Sequence, residues 1–260
     1  MKKTLLTMTV ATSMVLAACG VSDEGQESDG YKPTLTMGTS ADYKPFEYVD
    51  TAVGDEIIGY DVDLANLIAD ELGFDIKIQD MDFSGLVTAL SNGQVDFVMS
   101  AMTPTEERKE NVEFTDVYYV AKDLLISLDG SDISTVEDLE GKTVGVQLGS
   151  IQQEFADDLG KEMHLTVETR NRIPELMQDV ANERFDAIIV ENIVAEGYLQ
   201  GDDELRGEVI EVEEQEAGSA IAFPKESEWT KQFDEVLEEL KESGEIDELA
   251  KKWFDNDQTE

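Results

Sequence analysis

The chain has 260 residues, room for one or two domains. With 41% apolar and 30% charged residues it can bury a sizeable core, which excludes wholesale disorder. Asp plus Glu number 60 against 19 Lys plus Arg, a formal charge of −41 that repels phosphate backbones and argues against DNA or RNA as a partner. One cysteine and one histidine make an intrachain disulfide impossible and a Cys/His metal cluster nearly so, and histidine acid–base chemistry would rest on His164 alone.

At the start, Lys2 and Lys3 precede an apolar run from Leu5 to Leu16, followed by Ala17, Ala18, Cys19 and Gly20. A basic start, a short apolar segment and small residues before a cut site are the parts of a secretory signal. The run is too short to cross a ~30 Å hydrocarbon core as a helix. Leu-Ala-Ala-Cys-Gly resembles the lipobox of bacterial lipoproteins. That resemblance implies a signal peptide over residues 1–18, acylation of Cys19 and anchoring to the outer face of the cell membrane, where two or three acyl chains suffice. An ordinary secretory signal with a chance cysteine is the alternative. Residues 19–30 read as a polar, acidic, Gly/Ser-containing tether, and no later segment is apolar enough to span a bilayer. The acidic residues are spread along the whole chain, which reads as a solubilising surface rather than a cation-capturing field.

From Leu35 onward, short β-rich runs alternate with amphipathic helical stretches. The pattern predicts a strand at Leu35–Thr39, a helix at Asp61–Leu72 stopped by Gly73, and a strand at Phe74–Ile78. A helix at Ser84–Asn92 and a strand buried on both faces at Val95–Ser100 follow. After an extended stretch, Tyr118–Ser127, the rhythm restarts with a strand at Thr143–Val146, a helix from Ser150 through Leu159 and a strand at Leu165–Val167. A helix at Pro174–Asn182, a buried strand at Ala187–Val190 and a short helix at Ile193–Tyr198 complete the second unit. A last strand at Ala220–Phe223 precedes helices at Glu228–Glu242 and Glu245–Trp253. Two α/β units with largely parallel sheets can face their strand carboxyl ends across a cleft, where ligands bind in such folds.

The loops at those ends carry the candidate chemistry. In Ser100–Arg108 a buried strand ends, Thr105 reads as a helix N-cap, and Arg108 can grip a carboxylate through paired hydrogen bonds. On spacing alone, a surface arginine among Glu106, Glu107 and Glu110 is the commoner reading. Gly145–Ser150 runs a strand into a helix whose free amides form a weak anion seat, without the spacing of a nucleotide loop. Glu191 directly follows a buried strand and either accepts an ammonium or caps the next helix. Tyr43, Phe46 and Phe83 either sandwich a ligand body or pack the core. No Ser–His–Asp set can be assembled, because His164 sits away from the cleft loops, and no cofactor is expected.

Several of these blocks align with one family. Gly38-Thr39-Ser40-Ala41-Asp42-Tyr43-Lys44-Pro45-Phe46-Glu47 and Gly59-Tyr60-Asp61-Val62-Asp63-Leu64 closely resemble the start of polar amino-acid-binding proteins of ABC importers. Asp82–Leu86, Ser100–Arg108, Phe114–Tyr119, Gly141–Gln147 and Gly244–Trp253 continue the likeness, in order, from about Leu35 to Trp253. The resemblance implies a two-lobed α/β, type II periplasmic-binding-protein fold, each lobe a mixed, mostly parallel sheet flanked by helices. Lobe 1 would be 31–121 plus 219–260 and lobe 2 122–218, with two hinge crossovers near Ala121–Leu125 and Ala217–Ala222.

The same resemblance implies that Arg108 clamps a ligand α-carboxylate, aided by the amides of Ala101 and Ile151 beside Ser150. Glu191, the Thr103 hydroxyl and the Ser100 carbonyl would meet the α-ammonium, and Tyr43 and Phe83 would flank the side chain with Phe46 behind. The family usually has aspartate at the position of Glu191, threonine at Ile151 and serine at Ala101. Ser40 stands where some lysine or arginine binders have an acid, while Asp42 and Glu47 can supply negative charge at the far end. Arginine, lysine or glutamine all remain open, with cationic ligands slightly ahead. The expected partners are a polar L-amino acid, an ABC permease with its ATPase, and the membrane through the lipid anchor, for a monomer that is not an enzyme. A dehydratase on the same fold and a ligand-sensing lipoprotein without a transport role are the rival readings.

Overall fold

The computed structural model describes residues 32–51, 54–200, 204–210 and 217–255, so the signal, the Cys19 anchor and the tether of residues 19–30 lie outside the described residues. β1 (Thr34–Thr39) runs into a small hairpin sheet that the periodicity does not announce: β2 (Asp42–Tyr43), β3 (Glu47–Val49) and β4 (Ile57–Ile58). α1 (Tyr60–Leu72) forms because Leu64, Ala65, Ile68 and Ala69 recur at helical spacing and are buried. It stops where Gly73 turns left-handed at φ 75°. Before it, Gly59 has φ 141°, and a Cβ there would lie 2.0 Å from the Phe46 carbonyl oxygen. Only glycine lets the hairpin close over the start of α1.

β5 (Asp75–Asp80), a 3-10 turn at Phe83–Gly85, α2 (Leu86–Ser91) and β6 (Phe97–Val98) follow. β6 is shorter than the apolar run 95–100 suggests. Ala101 turns out of line at φ 45° and gives its amide to Asp61 Oδ2, 2.9 Å away, instead of to a neighbouring strand. α3 (Glu106–Asn111), β7 (Val112–Phe114) and β8 (Tyr119–Ala121) lead into β9 (Asp123–Leu128). The second lobe continues with β10 (Thr143–Gln147), α4 (Ile151–Glu162), β11 (Thr166–Arg170) and α5 (Ile173–Ala181). β12 (Ala187–Glu191), α6 (Asn192–Leu199) and β13 (Leu205–Val209) complete it. β14 (Ala217–Ser219) returns antiparallel beside β8, followed by β15 (Ala222–Pro224), α7 (Glu228–Ser243) and α8 (Glu245–Ala250). The helix expected to reach Trp253 changes after Ala250 into one π-helical turn, Lys251–Asp255.

Two five-stranded sheets result, ordered β5-β1-β6-β15-β7 and β11-β10-β12-β9-β13. Their topologies match. In each, three strands pair in parallel (β5-β1-β6 and β11-β10-β12), as expected for connections through helices. The strand arriving from the other sheet, β15 or β9, runs antiparallel to both neighbours. These are the mixed, mostly parallel sheets of a two-lobed fold. Phe74, Phe97, Phe223 and Phe233 pack ring against ring under α7 in the first lobe, and Val144, Val146, Ala156 and Ile189 fill one face of the second. Each buried side chain of this size contributes about 1.5–3 kcal/mol against remaining exposed.

Candidate functional site

The carboxyl ends of the two sheets face one another across a small cavity, the place where ligands bind in such folds. The first lobe lines it with Ser40, Tyr43, Glu47, Phe83, Ser100, Ala101, Thr103 and Arg108, and the second with Gln147, Ser150, Ile151, Gln152 and Glu191. Eleven of the thirteen residues expected from the sequence are therefore gathered around one space. A wider groove outside it shares Phe83, Arg108, Ser150 and Ile151 and carries Glu107, Glu154, Asp157 and Asp158 at its walls. It forms the mouth.

Arg108 is placed by its helix. The Thr105 hydroxyl caps α3 by accepting from the Arg108 amide at 3.2 Å, with Glu106 and Glu107 in the first turn. The guanidinium then reaches across the cleft: Nη1 donates to the Thr103 carbonyl at 2.6 Å and Nη2 to the Gly149 carbonyl of the other lobe at 2.9 Å. It lies 5.3 Å from the centre of the Phe83 ring. Burial lowers its pKa to about 10 against the pull of Glu154, Glu107 and Glu191, so it stays charged at neutral pH. Gly149, at φ 80°, brings the start of α4 close to Ser84. The Ser150 side chain caps α4 by accepting from the Gln153 amide. The Ile151 and Gln152 amides belong to the helix's first turn, which has no intrahelical acceptors.

The opposite wall is acidic. Glu191 ends β12, is 3% exposed, and leaves Oε2 without a hydrogen bond. It makes no side-chain bond to the start of α6, so the helix-cap alternative fails. Burial, then the Asp123 carboxylate, pushes its pKa up to about 8, while the Tyr43 hydroxyl and Arg108 oppose the rise. Glu47 is fully buried, accepts from Ser100 Oγ at 2.6 Å, and is hydrogen-bonded to the neighbouring Asp61. Burial and the neighbouring Asp61 push Glu47 well above the usual carboxylate range, and burial takes Asp61 to about 6. Asp61 is the member with partners for its charge, since the Ala101 amide and the Tyr118 hydroxyl donate to it. Glu47 therefore holds the proton of this pair.

Three expectations need correction. The Ala101 amide is spent on Asp61 and is not free for a ligand carboxylate. Phe46 stands behind Tyr43 but does not itself line the cavity: it is fully buried among the rings of Tyr43, Tyr60, Tyr119 and Phe254. Asp42 faces away too, accepting from Ser40 Oγ (2.7 Å), the Ile173 amide (2.6 Å) and Arg172 Nη1 (3.2 Å). His164 is exposed beside Glu140 and is not among the cavity-wall residues. Gln147 and Gln152 are wall residues that the sequence reading missed. Gln147 ends β10, where the strand-end rule points. Which face of α4 carries Gln152 needs the roll of that helix against the sheet.

A family model described as bacterial extracellular solute-binding proteins, family 3, matches residues 35–256. The chain is 52% identical over 256 residues to the arginine-binding extracellular protein ArtP of Bacillus subtilis (strain 168), covering 98% of each. It is 29% identical over 263 residues to the lysine/arginine/ornithine-binding periplasmic protein of Escherichia coli (strain K12), covering 98% of each. Among solved structures, an ancestral arginine-binding protein bound to arginine superposes with a TM-score of 0.81 at 35% identity, covering 86% of this chain and 99% of that one. The same coverage and identity hold, at a TM-score of 0.79, for an ancestral arginine-binding protein bound to glutamine. With its fold, its cleft and nearly its whole described length accounted for, the chain belongs to the bacterial extracellular solute-binding proteins, family 3.

Proposed function

We propose that the mature protein is a lipid-anchored receptor on the outer face of the cell membrane. In this reading it captures a cationic L-amino acid, arginine foremost, between its lobes and delivers it to an ABC importer. The observation that carries this is the pairing, across one cavity, of a half-buried guanidinium with a buried carboxylate that has an unpartnered oxygen: Arg108 facing Glu191. An α-amino acid supplies the complementary carboxylate and ammonium, and each is bound by charge-assisted hydrogen bonds. Tyr43 and Phe83 flank the ligand body, Thr103 and Ser100 offer further polar contacts, and the first-turn amides of Ile151 and Gln152 support the carboxylate. Ser40 and Glu47 complete the first lobe's wall. Arginine is put first because the 52% identical relative is named for it. Glutamine is the competing ligand, since an ancestral arginine-binding protein has also been solved with glutamine bound.

Lobe 1 is taken as 31–121 plus 219–260 and lobe 2 as 122–218, with β8 and β14 as the hinge. Ligand contacts to both lobes favour the closed state, and that state docks on the permease. The chemistry is binding, without turnover. A thermal-shift screen of the refolded, ligand-stripped protein against the twenty L-amino acids tests it: stabilisation by arginine, and less by lysine or glutamine, is expected through linkage. No stabilisation by any of them, or conversion of prephenate or arogenate, would replace the receptor with the dehydratase reading. Cys19→Ser, expected to release the protein from the membrane into the medium, checks the anchor.

A further inference from the structure

One buried acid beside the cavity has no task in the reading above. Asp123 opens β9 and is 5% exposed. In the β12–β9 ladder it lies directly opposite Glu191. Residues directly opposite in an antiparallel pair project from the same face with Cβ atoms about 4.5–5.5 Å apart, so Asp123 lies beside Glu191, just behind the cavity wall that Glu191 and Gln152 form. Gln152, a cavity-wall residue, donates from Nε2 to Asp123 Oδ1 at 2.8 Å. That is the only side-chain hydrogen bond of Asp123 among the described residues, and no lysine or arginine acts on it there. The Gln152 amide oxygen accepts none among the described residues.

A charge count shows what this leaves over. An α-amino acid brings one carboxylate and one ammonium, answered by Arg108 and Glu191. The proton on Glu47 and the two donors on Asp61 settle that pair. Asp123 remains, a carboxyl group withdrawn from water with one neutral amide as its partner; burial raises its pKa, and a cation beside it favours its ionised form. Such a group contributes nothing favourable toward a neutral side chain and attracts a cationic one, strongly so at low local dielectric. With Nε2 turned to Asp123, Gln152 keeps an acceptor oxygen for an N–H of the same side chain.

We infer that Asp123, bonded to Gln152 and opposite Glu191, is a specificity-determining residue that makes the cavity select an amino acid with a positively charged side chain over its neutral analogue. The inference rests on the receptor reading above and adds the residue that decides the ligand's charge. Calorimetric titration with arginine and with citrulline, its neutral isostere, tests it on the full mature chain. Wild type is expected to prefer arginine. Asp123→Asn keeps the shape and the hydrogen bond from Gln152 but removes the charge, and it should lower the arginine-to-citrulline affinity ratio at least tenfold with citrulline affinity little changed. Asp123→Glu should restore the ratio, and Asp123→Ser gives the same reading as D123N should that variant not fold. A merely structural brace would weaken both ligands alike; an unchanged ratio therefore overturns the inference while leaving the receptor intact. Wild-type protein that binds neither arginine nor any other polar amino acid overturns the receptor reading itself, and this inference with it.

Discussion

The cleft has two zones where the lobes meet, and they are finished to different degrees. At the rim, Arg172 of the second lobe reaches Asp80 (2.9 Å), Asp82 (3.1 Å) and Asp42 (3.2 Å) of the first, while Asn171 donates to Asp82 and the Ile173 amide to Asp42. Every group there has a partner from the protein. On the floor, Glu191 keeps an oxygen without a hydrogen bond, and Arg108 is satisfied only by carbonyls. The rim brings the lobes together with the protein's own charges, whereas the floor is complementary to charges that only a ligand brings. A ligand shifts the open–closed balance by no more than its differential contacts with the two states, and the floor is where those contacts are concentrated.

The sharpest way to break this comparison is at Arg108. Arg108→Ala leaves a ligand carboxylate buried without its charged partner, and the expected loss is ~2–4 kcal/mol of binding. Calorimetry with arginine reads it directly. Affinity within twofold of wild type would show that the floor does not hold the α-carboxylate.

The next effect is set by pH. Glu191 titrates at about 8 in the empty site because of burial and Asp123, well above the ordinary glutamate value. In the ligand-free protein the folded state keeps this proton longer than the unfolded chain. The stability contributed by the protonated group is thus present at low pH and lost as pH rises toward about 8. A ligand ammonium favours the ionised form, so binding releases a proton below that pH. Affinity should rise by up to tenfold per pH unit, levelling off above 8. Titrations in buffers of different ionisation enthalpy count the proton, and Glu191→Gln should flatten the profile. A flat wild-type profile would place the ammonium elsewhere.

How much of this was legible beforehand depended on the range of the contacts. Glu191 was readable as a candidate because it directly follows a buried strand, and the ends of parallel strands form the cleft whatever the rest of the chain does. The two βαβ rhythms were readable for the same local reason. Arg108 stands well past β6 on α3, where spacing alone favours a surface arginine, and it was the family resemblance that singled it out. Asp42 was misplaced because its neighbours Arg172 and Ile173 lie 130 residues away, beyond any spacing rule. Phe46 sits in a loop, and nothing near it reveals that Tyr119 and Phe254 close over it. The Ala101 amide was lost to Asp61 through a positive φ at a residue with no intrinsic preference for one. Asp123 became a neighbour of Glu191 only through antiparallel pairing of β9, the strand entering from the other lobe.

The smallest effect is expected at the rim. Exposed ion pairs contribute about 0.2–1 kcal/mol each and are screened by salt. Asp80 and Asp82 keep 42% and 48% of their side chains exposed, so Arg172 acts as a modest bias toward closure and not as a lock. Because this bias acts on the closed state after the ligand has arrived, Arg172→Gln should raise the arginine dissociation rate a few-fold with the association rate nearly unchanged. The difference between wild type and variant should shrink as salt rises from 0.15 to ~1 M, where the Debye length falls to about 3 Å. Arg172→Lys should be intermediate, since one ammonium cannot reproduce the fork that spans three carboxylates. Stopped-flow measurements of the two rates decide the matter. A dissociation rate that R172Q leaves untouched at low salt would mean that the floor alone holds the lobes together, and the division between a rim closed by the protein and a floor completed by the ligand would be lost.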